Sequence, residues 1–454
     1  MNPTLHSILA FVQTWWVELL CAIALVLVVP LIAGYLVLVE RKVMADMQAR
    51  LGPMRVGPHG LLQPIADALK LLIKEDLIPD NADQFIFWLA PVFSMTAALT
   101  SMGALAFGPW FQVARDINIG LLFVVGVSSL GPFGIVLGGW ASNNHYSILG
   151  ALRSTAQLIS YETTAGFALL SGLLLAGTLN VRAIVEAQRT DHAWYIFLAP
   201  VGFSTYLIAS IAETNRAPFD LPVAESELVA GYMTEYSGFR WSLYFLAEYA
   251  NMIVVASVGT TLFLGGWLRP FPNVHWLGWL DAAPTLLLAA VGAYCVFRAG
   301  KQPVHVQSLF MWAVAFASFV VAAIFALASP FSHLPLEKMH DGLYGAFWFL
   351  LKVSAYIYIF MWLRFTLPRF RFDQLMRLGW HILIPLTLVN LVGVAIAMAL
   401  HSEFGLNRWL ATFFTSLATL GAAMMLLHWN DKYSAAASAA LLADSSIAED
   451  PHAG

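Results

Sequence analysis

The chain has 454 residues, 59% of them hydrophobic and 11% charged, with a mean hydropathy of +0.73. Apolar runs of about 20 residues recur along its length, which excludes a water-soluble enzyme domain and identifies a polytopic, all-α membrane protein. The formal net charge of −4 decides little, because in a membrane protein the placement of charge matters more than its sum. Cys21 and Cys295 are the only two cysteines. They supply neither a CxxC pair nor the four thiolates of an iron–sulfur cluster. No glycine-rich nucleotide loop follows a strand pattern.

Eleven spans are expected, at 17–39, 85–107, 118–140, 156–178, 194–213, 242–266, 279–297, 307–328, 343–364, 380–400 and 409–428. The runs are too long for barrel strands, so each is read as a helix. Residues 1–16 carry no Lys or Arg, so the first span reads as a retained anchor and not a cleaved signal. With the N-terminus outside, the cytoplasmic side collects Arg41, Lys42, Arg50, Arg55, Lys70, Lys74, Arg153, Arg216, Arg240, Arg298, Lys301 and the Arg364–Arg377 group. The other side keeps Arg115, Arg182, Arg189, Arg269, Lys338 and Arg408. That asymmetry predicts an N-outside, C-inside topology.

Two segments between or after the spans stand out. In 61–74, Leu62, Ile65, Leu69, Leu72 and Ile73 fall on one helical face, with Asp67, Lys70 and Lys74 on the other. Such a helix lies at the bilayer surface, either as a plain anchor or beneath a docked partner. The stretch 434–454 is Ala-rich and polar and is expected to be a disordered tail behind an integral membrane domain of 1–433.

Several charges are predicted in the wrong solvent. Glu40 ends the first span, Glu162 lies in the fourth, Glu213 closes the fifth, Glu248 lies in the sixth and Lys352 in the ninth. Each costs roughly 2.5–3.5 kcal/mol near a helix centre on insertion scales, so each needs an interior partner or water. One such group is readily explained as structural glue; several together suggest a hydrated polar path. The connection 213–237 adds Asp220, Glu225, Glu227 and Glu235 to Glu213. Crowded carboxylates repel one another and share protons, which suits proton movement. Asp220 and Glu225 also fit a plainer role, flanking Pro222 where a helix begins and complementing its dipole. Glu235, about two turns later, does not. Asn215 and Arg216 could brace the loop or bind an acidic partner. His145, His192, His275, His305, His333 and His340 are scattered without metal-ligand spacing.

Long motifs in these same places resemble one family. They are Val39-Glu40-Arg41-Lys42 on to Gln48-Ala49-Arg50-Leu51-Gly52-Pro53, Gln63-Pro64-Ile65-Ala66-Asp67-Ala68-Leu69-Lys70, Gly139-Trp140-Ala141-Ser142-Asn143 and Gln157-Leu158-Ile159-Ser160-Tyr161-Glu162. The 213–238 stretch, Phe245-Leu246-Ala247-Glu248-Tyr249 and 367–376 complete the set. Together they resemble the H subunit of bacterial NADH–quinone oxidoreductase (respiratory complex I), subunit 1 in mitochondria. The resemblance implies an eight-helix core over about 17–266 and 340–400. This chain adds two inserted helices at about 275–328 and one C-terminal helix at 409–428. It also departs from the family at Val223, Met233 and His381, where a glutamate, a histidine and a lysine are usual.

Further implications follow from the same resemblance. The chain would be a membrane subunit of a proton-translocating NADH:quinone oxidoreductase in a bacterial inner membrane. It would bind quinone as substrate and hold no flavin, metal or iron–sulfur cluster. Glu40, Arg41, Arg50, Asp67, Arg216 and Asp220 would line the quinone path. Glu162, Glu213, Glu225, Glu227 and Glu248 would form a carboxylate relay. Iron–sulfur subunits of the hydrophilic arm would dock on loops 40–84 and 214–240, with antiporter-like subunits alongside in the bilayer and no nucleic acid involved. The membrane subunit of a proton-translocating hydrogenase, a quinone reductase fed by another donor and an independent transporter are the competing readings. The transporter is expected to show internal repeats, and none is found.

Overall fold

The computed structural model describes residues 3–109, 117–221, 230–272, 274–302, 305–328 and 337–425. Among these residues the regular elements are helices, and nine are long and apolar enough to cross a membrane. In chain order they begin with α1 (Pro3–Met47), the short surface helix α2 (Gln63–Ile73) and α3 (Gln84–Gly103). A broken span follows, α4 (Gly120–Ser128) and α5 (Gly131–Ala141), then α6 (His145–Ala176) and the short α7 (Val181–Thr190). Next come α8 (Tyr195–Leu198), α9 (Pro200–Glu213) and the central α10 (Gly238–Phe263). The inserted pair is α11 (Ala283–Ala299) and α12 (His305–Ala328), followed by α13 (Glu337–Thr366). Then α14 (Phe372–Arg377) runs through a π-helical turn into α15 (Ile384–Phe404), and α16 occupies 408–425.

Helix starts follow local chemistry. The Asp83 carboxylate accepts from the amides of Phe85 and Ile86 at 3.1 and 3.2 Å, satisfying two of the four orphan donors of α3. Asn144 and Asn180 cap α6 and α7 in the same way. The expected fifth span is not one helix. Pro200 lacks the amide that would continue α8, so the helix stops at Leu198 and restarts as α9. At about 1.5 Å per residue, the 14 residues of α9 fall short of the roughly 30 Å hydrocarbon core. The expected eleventh span coincides with α16 up to residue 425 and then leaves the described residues, as does the 434–454 tail.

Burial separates centre from rim. The apolar window of α10 is 78% buried, whereas those of α1, the 276–299 span and α12 are each 17% buried. Close packing around α10 uses glycine. A Cβ at Gly138 of α5 would sit 2.1 Å from the Tyr244 hydroxyl of α10, and one at Gly134 2.1 Å from Ser94 Oγ of α3. Small residues allow such backbone approach where no hydrophobic effect drives helices together.

The inserted α11–α12 pair packs on itself, with Gly292 against the Phe319 ring. It reaches α13 through Tyr344, whose hydroxyl donates to the Phe325 carbonyl at 3.0 Å. Its other end meets the turn at Pro58–Gly60, where the His59 and Phe310 rings lie 6.2 Å apart. The α16 segment is latched by Arg408, which pairs with Asp191 at 2.6 Å and donates to the Leu175 carbonyl.

Candidate functional site

The loop leaving α9 is held in place from several sides. Gln157 of α6 donates one amide nitrogen to the carbonyls of Ala212 and Phe219, both at 2.9 Å, and to Asn215 Oδ1 at 3.3 Å. The Phe370 amide donates to the Pro218 carbonyl at 3.2 Å. Rings of Tyr161, Phe219 and Phe370 follow one another with centroids 5.5 Å apart at each step. Three stretches far apart in sequence therefore meet, and they place Arg216 in the interior at 6% exposure.

Around Arg216 lies a compact buried ion cluster. Glu40 of α1, 5% exposed, is paired with Arg364 of α13. It accepts from the Tyr249 hydroxyl at 2.5 Å and lies 3.7 Å from Arg216. The Arg216 guanidinium sits 4.1 Å over the Tyr249 ring, donates to that hydroxyl at 3.3 Å and lies 4.0 Å from Glu248. Glu248 also accepts from the Tyr232 hydroxyl at 3.2 Å. Asp220, on the same loop, is 3.4 Å from Arg369. Burial pushes its carboxyl above the usual aspartate range, with Arg369, Arg364 and Arg216 pulling against the shift.

Two cavities flank this cluster, on opposite faces of α10. One, with about 420 Å³ of space, is a cleft between α1, α2 and α10. Leu27, Pro30, Leu31, Leu72, Trp241, Phe245 and Leu246 make its walls, and Arg41 and Asp67 give it a polar end. Arg41 pairs with Asp67 at 2.8 Å, and Gln63 donates to the other Asp67 oxygen at 2.9 Å. The other cavity is smaller, about 50 Å³, and is lined by Glu162, Glu213, Glu248, Asn215, Tyr232 and Asn251 among others. Its polar rim and size suit a few hydrogen-bonded waters.

The expected residues thus divide into groups. Glu40, Arg216 and Glu248 meet in the cluster, with Asp220 close by. Glu162, Glu213 and Glu248 share the polar cavity, and Arg41 and Asp67 share the apolar one. Arg50 stands apart: it is exposed and its Nε donates to Gln48 at 2.8 Å. Glu235 also stands apart, accepting from the α6 capping residue Asn144 at 2.6 Å. Glu225, Glu227 and Val223 lie outside the described residues. Met233 is buried in an aromatic cluster with Tyr232 and Tyr236, and His381 is exposed in the π-helical turn. Lys352 belongs to neither cavity. Its ammonium donates to the carbonyls of Leu264, Gly266 and Leu268 at 2.6, 2.9 and 2.5 Å, over the Trp194 ring, so it ties down the turn that follows α10. Among the described residues no three of His, Cys, Asp and Glu converge as a metal site.

Sequence reasoning missed Tyr249, Tyr232 and Arg364. Tyr249 directly follows Glu248, and Arg364 closes a span, but each scores as an ordinary interface residue for a membrane helix.

A many-helix membrane protein with carboxylates paired around a buried arginine, flanked by one apolar and one polar cavity, defines the class. A family model described as NADH dehydrogenase matches residues 20–395. The chain is 50% identical to the NADH-quinone oxidoreductase H subunit, copy 2, of Solibacter usitatus, over 83% of this chain and 95% of that one. It is 47% identical to the corresponding copy 1 of Koribacter versatilis, over 80% and 87%. It is 38% identical to copy 2 of Geobacter metallireducens, over 87% and 99%. The chain belongs to the family of the NADH-quinone oxidoreductase H subunit, a membrane component of complex I.

Proposed function

We propose that this chain forms the quinone chamber of a proton-translocating complex I, together with the first carboxylates of the relay that couples quinone reduction to pumping. One observation carries the reading: α10 has an apolar cavity on one face and a polar, carboxylate-lined cavity on the other, with Glu40, Arg216 and Glu248 between them. The apolar cavity fits a hydrophobic quinone whose polar head would meet Arg41 and Asp67. Electrons would come from an iron–sulfur cluster on a neighbouring hydrophilic-arm subunit, docked on loops 40–84 and 214–240.

Reduction of a quinone to a quinol takes up two electrons and two protons. Charge that develops on the way is compensated by Arg216, Arg364 and the protons shared among the carboxylates, because neighbouring carboxylates cannot all ionise. Displacing a proton toward Glu162 and Glu213 carries the event away from the quinone toward antiporter-like subunits. Each charge moved across the membrane potential is worth roughly 2.3 kcal/mol per 100 mV. The basic residues favour an N-outside, C-inside orientation in a bacterial inner membrane.

Glu213→Gln is the test. The carboxamide keeps the shape of the side chain and removes its proton affinity. Quinone-linked pumping is expected to fall severalfold while NADH oxidation by artificial acceptors is retained. Normal pumping in that variant would overturn the relay. Purification of the tagged chain with flavin and iron–sulfur subunits and an inhibitor-sensitive NADH–quinone activity tests the chamber; co-purifying nickel hydrogenase subunits would refute it.

A further inference from the structure

The geometry points to Tyr249 as the positioning residue that sets which of two carboxylates, Glu40 or Glu248, holds the Arg216 charge. This inference rests on the chamber-and-relay reading and adds to it a specific link between the two cavities.

Arg216 lacks the close partner of the buried Arg240, which pairs with Asp76 at 2.8 Å, and the three carbonyls that hold Lys352. Its separations from Glu40 and Glu248, 3.7 and 4.0 Å, give Coulomb attractions that differ by about a tenth, so distance alone assigns it to neither. Glu40 is already paired with Arg364, which weakens its hold on a second cation. Among the described residues, Arg216 Nε and Nη2 have no hydrogen-bond partner. The short-range contacts are with Tyr249: the ring beneath the guanidinium at 4.1 Å and the hydroxyl at 3.3 Å. A ring face attracts a cation without fixing it to one direction. The hydroxyl supplies the direction, because it accepts from Arg216 while donating to Glu40 at 2.5 Å. With that hydroxyl in place Arg216 is biased to the Glu40 side; when it turns, the guanidinium is free to approach Glu248.

Tyr249 also connects to the apolar cavity. Trp241, Phe245 and Tyr249 recur every fourth residue along α10, one face of a helix. The Trp241 and Phe245 rings lie 5.1 Å apart, and those of Phe245 and Tyr249 5.0 Å apart. Trp241 and Phe245 line the 420 Å³ cavity, while Glu248 lines the other. A ligand that shifts Phe245 therefore presses on the ring that carries Arg216. Occupancy and charge change in one cavity are passed to the carboxylate of the other by a displacement of about one side chain.

The test uses the whole complex in native membrane vesicles and reads protons translocated per NADH oxidised by quinone, with ferricyanide-linked NADH oxidation as the measure of assembly. Tyr249→Phe keeps the ring and removes the hydroxyl; Arg216→Lys keeps the charge but replaces a broad fork by a point donor. Each is expected to lower the proton-to-electron ratio at least twofold. A reduced rate at an unchanged ratio would make Tyr249 a wall of the chamber only and would overturn the inference, as would unchanged rate and ratio. If Tyr249→Phe fails to assemble, Arg216→Lys carries the test. Glu213→Gln in the same vesicles separates the two ideas. Full coupling in Glu213→Gln removes the relay reading itself; uncoupling there with full ratios in Tyr249→Phe and Arg216→Lys removes only the link through Tyr249.

Discussion

The middle of α10 and the turn beyond its last residue hold buried cations in opposite ways. In that turn the Lys352 ammonium directs its three hydrogens to three carbonyls within 2.9 Å. Beside Glu248 and Tyr249, halfway along α10, the Arg216 side chain makes one hydrogen bond among the described residues, at 3.3 Å, and stands between two carboxylates at ion-pair distance. A fully bonded charge has one low-energy position, since any movement strips a buried polar group of its partner. A charge shared between acceptors at similar distances has more than one, and small changes nearby select among them. The two cations share the cost of burial and differ in how fully they are bonded.

That contrast is broken most severely at Glu40. Glu40→Ala leaves Arg364 without its partner and weakens the hold on Arg216 in the same interior, where stranding one member of a buried pair costs about 3–5 kcal/mol. Quinone reductase activity is expected to fall below about a tenth of wild type, with proton pumping lost alongside it. Membranes carrying equal amounts of assembled complex, assayed for NADH–quinone and NADH–ferricyanide activity, give the comparison. Activity within twofold of wild type would show that the cluster is ornamental to the chemistry.

Lys352→Met should do the reverse. Methionine fills much of the same space but donates nothing, so the carbonyls of the turn after α10 lose a donor, each at roughly 1–3 kcal/mol if left bare. The expected result is a melting temperature several degrees lower for the detergent-purified complex, with protons per electron unchanged in what survives. A variant that uncouples at wild-type stability would place Lys352 in the relay after all.

Much of this architecture was legible in the residues, and the parts that were not have physical causes. Apolar runs located the long helices, because length and hydropathy are what a bilayer demands. The break at Pro200 was not seen, since Leu198, Ala199 and Pro200 do not interrupt an apolar run even though proline interrupts a helix. Glu40 and Glu248 were found because charge inside a membrane is conspicuous, whereas Arg216 read as a loop residue that could brace the connection or bind an acidic partner. Tyr249 and Tyr232 were missed because a tyrosine counts as apolar until its hydroxyl is seen against a carboxylate. Arg364 was counted as a topology signal at the end of a span. Lys352 was conspicuous for the same reason as the carboxylates, and only the three carbonyls around it separate it from them. For Glu235, the capping residue Asn144, 91 positions away, provides the partner that local spacing could not.

The smallest effect is expected at Arg41, and it sharpens the contrast from the other side. The Arg41–Asp67 pair is well made, at 2.8 Å, but its side chains are 42% and 36% exposed. A pair in that setting contributes about 0.2–1 kcal/mol to stability, so Arg41→Gln should leave the melting temperature of the complex within a degree or two. Its position is what matters: it stands at the polar end of an otherwise apolar cavity. Glutamine still offers a hydrogen-bond donor there but no charge, so the KM for a short-chain quinone should rise a fewfold while kcat changes less, the pattern of a lost binding contact. A melting temperature as low as that of Lys352→Met would recast Arg41 as structural, and an unchanged KM would move the quinone head away from this end of the cavity. A well-made but half-exposed ion pair can still be a ligand contact, because its partners exchange with little penalty, which a carbonyl-bound lysine in the interior cannot do.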